Sequence, residues 1–136
     1  MRLIPLLLTA CTVASCAGPP PEQVAAVRAQ EQAHFAQLTA GKIPGPPMSC
    51  LPQWRSRDMI VIDENTIAFR DGAKRVYVNH MQGGCMNIDH GRNALVTQTP
   101  NPSLCRGDIA QVVDTLNRFP VGSCVFGDFV PYSRAG

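Results

Sequence analysis

Apolar positions recur with different periods along the two halves of this chain. Leu3 to Val13 is an apolar run broken only by Pro5 and two threonines, with Arg2 ahead of it. It is too short to cross a bilayer as a helix, which takes roughly 20 apolar residues, and no later run reaches that length. Gly18-Pro19-Pro20-Pro21 interrupts any regular element and reads as a stiff spacer. Glu22 to Leu38 is rich in Ala, Gln and Glu and predicts a helix, with Pro21 suited to its first turn and Gly41 to its stop. Its apolar stripe is thin: Val24, Val27, His34 or Phe35, and Leu38. Such a helix is expected to rest loosely on the domain or to serve as a stalk. Lys42-Ile43-Pro44-Gly45-Pro46-Pro47 is a second break, and the globular unit is expected to begin at about Met48.

Beyond Met48 the period shortens. Met59-Ile60-Val61-Ile62 and Thr66-Ile67-Ala68-Phe69-Arg70 are β-rich runs separated by Asp63-Glu64-Asn65, and Asp71-Gly72 is a hairpin signal before Arg75-Val76-Tyr77-Val78-Asn79. These runs predict an antiparallel meander, with Ile60, Ile62, Ile67, Phe69, Val76 and Val78 as its core face, the register open by one residue. His80 to Asn93 reads as a glycine-containing loop. Ala94–Thr99 and Ile109–Val113 predict two further strands, Asp114–Phe119 a helical turn or loop, and Ser123–Phe129 a last strand. The expected fold class is mainly β (α+β): a small antiparallel sheet or partial barrel with one N-terminal helix.

Composition narrows the functional classes. Twelve basic residues against 10 acidic give a formal charge of only +2, so neither a nucleic acid nor an anionic surface is indicated. Aromatic residues are few and the basic ones scattered, which leaves no stacking platform for single strands. Past residue 16 the cysteines are Cys50, Cys85, Cys105 and Cys124, an even set that reads as two disulfides in an exported chain. No CxxC pair occurs, which removes a zinc ribbon or a thioredoxin-like motif. Of the three pairings, Cys50–Cys124 with Cys85–Cys105 is the expected one, because it staples both margins of the domain. Cys50–Cys85 with Cys105–Cys124 is its main rival.

The segment His80-Met81-Gln82-Gly83-Gly84-Cys85-Met86-Asn87-Ile88-Asp89-His90 is the densest in soft and nitrogen ligands. Imidazole and thioether suit copper, so His80, Met81, Met86 and His90 are candidate metal ligands. Against that, Cys85 is needed for a disulfide, methionines fill core gaps, and the spacing fits no standard site. Cys85 with His90 as nucleophile and base requires a free thiol, which an oxidising compartment disfavours. Gly122-Ser123-Cys124 lies in a strand-like run without the elbow of a serine hydrolase. Asp63 and Glu64 are adjacent, which in a strand points them to opposite faces; a turn role suits them better. Arg106-Gly107-Asp108 spells an adhesion tripeptide, yet a turn with Asp108 bonding local amides accounts for it. The expectation is a non-catalytic chain without a cofactor.

Val13-Ala14-Ser15-Cys16 closes the first apolar run and resembles a bacterial lipobox: aliphatic, small, small, then a cysteine whose sulfur takes a diacylglyceryl group. Leu8-Thr9-Ala10-Cys11 fits the same pattern, but cutting there leaves an h-region near the short limit. Cleavage before Cys16 gives a signal peptide at 1–15, and Ala17 after the cysteine resembles an outer-membrane sorting signal. An ordinary cleaved signal with free secretion is the alternative. Acylation with several chains, palmitate among them, makes a stable attachment where a single chain does not. Residues 16–47 are then a lipidated N-terminus, Pro-rich spacer and amphipathic helix, and 48–136 a disulfide-stapled β-rich domain.

In the second half, Cys50 before a basic run, Val61-Ile62-Asp63 followed by Thr66-Ile67, Cys105-Arg106-Gly107-Asp108, and Gly122-Ser123-Cys124-Val125-Phe126-Gly127-Asp128-Phe129 resemble an uncharacterised family of small four-cysteine proteobacterial lipoproteins. The resemblance covers about residues 48–131. It implies no activity. It fits a membrane-anchored periplasmic accessory or protein-binding module, its partners the bilayer and an envelope protein, with no nucleic acid. A periplasmic copper-binding protein is the alternative.

Overall fold

The computed structural model describes residues 18–88 and 91–136. The leader, Cys11, Cys16 and Ala17 lie outside the described residues, as do Asp89 and His90. The elements are α1 (Pro21–Thr39), β1 (Ile43–Pro44), β2 (Cys50–Pro52), a single 3-10 turn (Gln53–Arg55), β3 (Asp58–Asp63), β4 (Thr66–Asp71), β5 (Arg75–His80), β6 (Asn93–Thr97), β7 (Ser103–Cys105), β8 (Ile109–Asp114), β9 (Pro120–Val125) and β10 (Phe129–Ser133). Among the described residues the fold is mostly β with one α-helix, its sheets antiparallel and no barrel closed.

The expected meander is present as β3-β4-β5, turning at Gly72, whose φ of 67° suits glycine. It forms part of a five-stranded sheet of order β1-β10-β5-β4-β3. A three-stranded sheet has order β6-β8-β9, and β2 pairs with β7 in a short ribbon. The expected last strand, Ser123–Phe129, is instead two strands in different sheets, β9 and β10. Phe126, Gly127 and Asp128 carry the chain across the core, and Phe126 and Phe129 stack there with ring centroids 5.8 Å apart.

The core-face expectation also changes. Cross-strand partners put Met59, Val61, Ile67, Phe69, Tyr77, Asn79 and Phe129 on one face of the five-stranded sheet. That face shares a buried cluster with Ala110, Val112 and Cys124 of the smaller sheet and Leu51 and Leu104 of the ribbon. Ile60, Ile62, Ala68, Val76 and Val78 turn the other way, beneath Leu38 and Phe35 of α1. The expected set had mixed the two faces. Both are buried because the helix covers the second, so polar residues no longer mark a solvent side. The helix docks through its C-terminal half: Leu38 is buried, Phe35 meets Tyr132 edge-on at 6.0 Å, and Lys42 Nζ donates to the Leu38 carbonyl at 2.7 Å. Contacts therefore cross the expected boundary at Met48, since β1 also pairs with β10.

The disulfides are Cys50–Cys105 and Cys85–Cys124, neither the favoured pairing nor its main rival. Ladder register explains the first, because Cys50 and Cys105 are direct partners in the β2–β7 ribbon. The second joins β9 to the 81–88 loop inside the core. The two margins of the domain are held by backbone instead of sulfur, through β1–β10 and the Met48–Phe129 bridge.

Candidate functional site

The loop after β5 bends back at once onto the strands. Met81 N–H donates to the Asn65 carbonyl at 2.7 Å, Gln82 pairs with Val125, and Cys85 N–H donates to the Glu64 carbonyl at 2.6 Å. Cys85 is fully buried and bonded to Cys124, so it is no free thiol in this state. The four candidate metal ligands are not gathered in one place. His80 is exposed on the helix side of the sheet, with Nδ1 3.4 Å from Thr66 Oγ1. Met81 is buried in the core between the sheets, Met86 is exposed, and His90 lies outside the described residues. Among the described residues no three His, Cys, Asp or Glu side chains form a metal-holding group.

What the loop does is brace the β8–β9 hairpin. The Met86 carbonyl lies against Gly122, where an added Cβ would stand 2.5 Å from it, so only glycine fits there. Asn87, at φ 67°, donates through Nδ2 to the Val121 carbonyl at 3.0 Å and receives Asn93 Nδ2 on its own carbonyl at 2.6 Å. A polar hollow of about 420 Å³ lies at this junction, lined by Asn87, Gly91, Arg92, Asn93, Asp114 and Val121.

The hairpin tip is itself a built turn. Asp114 Oδ1 accepts the backbone N–H groups of Leu116 (2.8 Å) and Asn117 (3.2 Å), an Asx-type arrangement. Those amides, Asn117 first, hold its carboxyl below the usual carboxylate range, with Arg92 adding to the effect. Arg118 N–H returns to the Asp114 carbonyl at 2.8 Å, and Asp114 N–H to that of Phe119 at 2.9 Å. Thr115 bonds the Arg92 carbonyl twice, from N–H at 2.9 Å and from Oγ1 at 2.7 Å. Arg118 sits at φ 60°, a conformation that costs a non-glycine residue about 1 kcal/mol or more. The segment expected to be a helical turn or loop is thus a turn that fixes Leu116 and Phe119 outward, each 70% exposed. Reading the sequence missed both residues. The one signal was two large apolar side chains inside an Asp–Asn–Arg turn.

The remaining motifs serve as turns. Asp63 Oδ1 takes the Asn65 N–H at 2.6 Å and Glu64 Oε1 the Asn87 N–H at 3.3 Å. Asp108 Oδ2 takes the Cys105 N–H at 2.8 Å across Gly107, whose φ is 92°, and Arg106 pairs with Asp128 at 3.2 Å. Ser123 lies in β9, exposed. No described helix is long and apolar enough to cross a membrane. No protein-family model matches the chain, and no curated protein or solved structure is significantly similar to it.

Proposed function

We propose that this chain is a non-catalytic protein-docking module, held at the periplasmic face of the outer membrane by acyl chains on Cys16, which seats Leu116 and Phe119 in an apolar pocket of an envelope protein. The observation that carries this reading is the exposure of those two side chains on a turn fixed by backbone and carboxylate hydrogen bonds. A large exposed apolar group costs solubility, and a preorganised loop loses little entropy when it meets a partner. Phenyl and leucyl groups exposed on the same fixed turn suit a concave apolar site. The anchoring half rests on the lipobox-like Val13–Cys16 and on the likeness to small lipoproteins over residues 48–131. Two disulfides favour an oxidising compartment.

A photo-crosslinking residue at position 119 in living cells tests the docking. One discrete adduct, lost with Leu116→Ser and absent when the probe sits at exposed Lys74, is expected; equal labelling from both positions overturns the proposal. Cys16→Ser should release the chain from membranes, and retention of that variant overturns the anchor.

A further inference from the structure

We infer that β6 is a dimerisation edge, pairing antiparallel with β6 of a second copy to join two three-stranded sheets into one of six strands. An edge strand presents unpaired N–H and C=O groups, and folded chains commonly blunt such edges with charge, proline, bulges or brevity. The other edges in this fold are blunted. β1 has two residues, one of them Pro44. β3 carries Asp58 and Asp63 and shifts register between Val61 and Asp63. β9 starts at Pro120, shifts register against β8, and is met by the Gln82–Val125 bridge. The β2–β7 ribbon is three residues long, contains Pro52 and is clamped by sulfur.

β6 has none of these devices. Asn93-Ala94-Leu95-Val96-Thr97 contains no charge, proline or glycine, and it pairs with β8 in unbroken register over five residues. Among the described residues its backbone makes no hydrogen bond beyond that ladder. On the outer face of the sheet Val96 is 40% exposed and Ile109 63%, beside exposed Gln111 and Ser123.

The strand is complementary to itself, which selects a second copy as occupant. An antiparallel pair centred on Leu95 sets Asn93 opposite the partner's Thr97 and Ala94 opposite the partner's Val96. Just beyond, Arg92 falls opposite the partner's Gln98, so no like charges meet. A two-fold axis through Leu95 closes the assembly at two copies, because the same patch is used on both sides. This edge is not the Leu116–Phe119 tip, and the inference does not rest on what that tip meets.

The test is the solution mass of the chain from residue 17, exported so that both disulfides form, at concentrations up to about 100 µM, where a pair with a Kd of micromolar order is mostly dimeric. The wild type is expected at twice the chain mass. Ala94→Lys with Val96→Lys sets lysine opposite lysine and should halve that mass. Ala94→Glu with Val96→Lys sets carboxylate opposite ammonium and should restore it, while Leu116→Ser leaves it unchanged. A cooperative thermal melt in each variant confirms folding. A wild type that stays monomeric, a doubly lysine-substituted chain that remains dimeric, or a folded Glu/Lys variant that stays monomeric overturns the inference.

Discussion

Asn79 is fully buried on a sheet face it shares with Ile67, Phe69, Tyr77 and Phe129 among others, and one neighbour explains it. Its Nδ2 donates to the Gly127 carbonyl at 2.9 Å and its Oδ1 accepts the Gly127 N–H at 3.0 Å. The side chain thus acts as one rung of a ladder where the chain crosses between sheets, and Gly127 is pressed so close to the His80 carbonyl that no Cβ fits. Asn79→Ala strands two buried backbone groups, so its expected loss is about 2–6 kcal/mol, from a desolvation penalty of about 1–3 kcal/mol for each unpaired group. Denaturant unfolding measures it, and a change under about 0.5 kcal/mol would refute this role. Asp114 gives a pH dependence of determined sign. Its carboxyl is held below the ordinary value of about 3.9. The charged form therefore supports the turn above that pH, and the support fades as pH falls through the depressed folded value. Amide protection at Leu116 and Asn117, measured relative to intrinsic exchange rates, should hold at neutral pH and drop below about pH 4. Asp114→Asn should flatten that dependence.

At the level of elements, what was legible in the sequence was what depends on short range. The meander could be read because β-branched runs alternate around Asp63-Glu64-Asn65 and Asp71-Gly72. The helix could be read from composition and its Pro and Gly ends. Strands of two or three residues, β1, β2 and β7, leave no periodicity to detect. Phe126-Gly127-Asp128 reads as a continuing strand because nothing local says that Phe126 must turn inward against Phe69. The loop from His80 looked like ligand chemistry because soft and nitrogen donors crowd it, yet Met81 fills the core and Met86 lends its carbonyl to the fit around Gly122. Cysteine pairing failed for a related reason: it follows ladder register and core position, neither of which is a sequence distance. Sequence separations of 55 and 39 make the two bridges nearly equal in chain entropy, about 4 kcal/mol each. Burial then sets their order, for Cys85 and Cys124 are 0% and 3% exposed whereas Cys50 is exposed. Replacing Cys85 and Cys124 together with alanine should cost about 1–2 kcal/mol more than replacing Cys50 and Cys105, because sulfur is also removed from a packed core. Non-reducing digestion should recover a Cys50 peptide joined to a Cys105 peptide, and any Cys50–Cys124 product contradicts the topology.

For the whole molecule, the two bridges are a large share of what holds the fold together. A domain of this size has a net stability of about 5–15 kcal/mol, and two bridges at about 4 kcal/mol each are comparable with it. The core is shared by a five-stranded sheet, a three-stranded sheet and a two-stranded ribbon, and no sheet closes on itself. The bridges join the ribbon's two strands and tie β9 to the loop after β5, so reduction loosens both attachments together. Chain made in a reducing cytosol should therefore lack a sharp unfolding transition and react at Cys50, Cys85, Cys105 and Cys124 with a thiol reagent without denaturant. Exported chain should melt cooperatively and offer no thiol from these four even when denatured. Reductant added to the exported form should abolish its transition at a temperature where the oxidised form stays folded. The order of events adds a structural check: Cys50 and Cys105 lie on a surface ribbon and should be reduced first, while Cys85–Cys124 resists until the core opens. Labelling Cys85 or Cys124 ahead of the ribbon pair would mean that the core is not packed around that bridge, and any loss of the fold on reduction would have to come from Cys50–Cys105 alone.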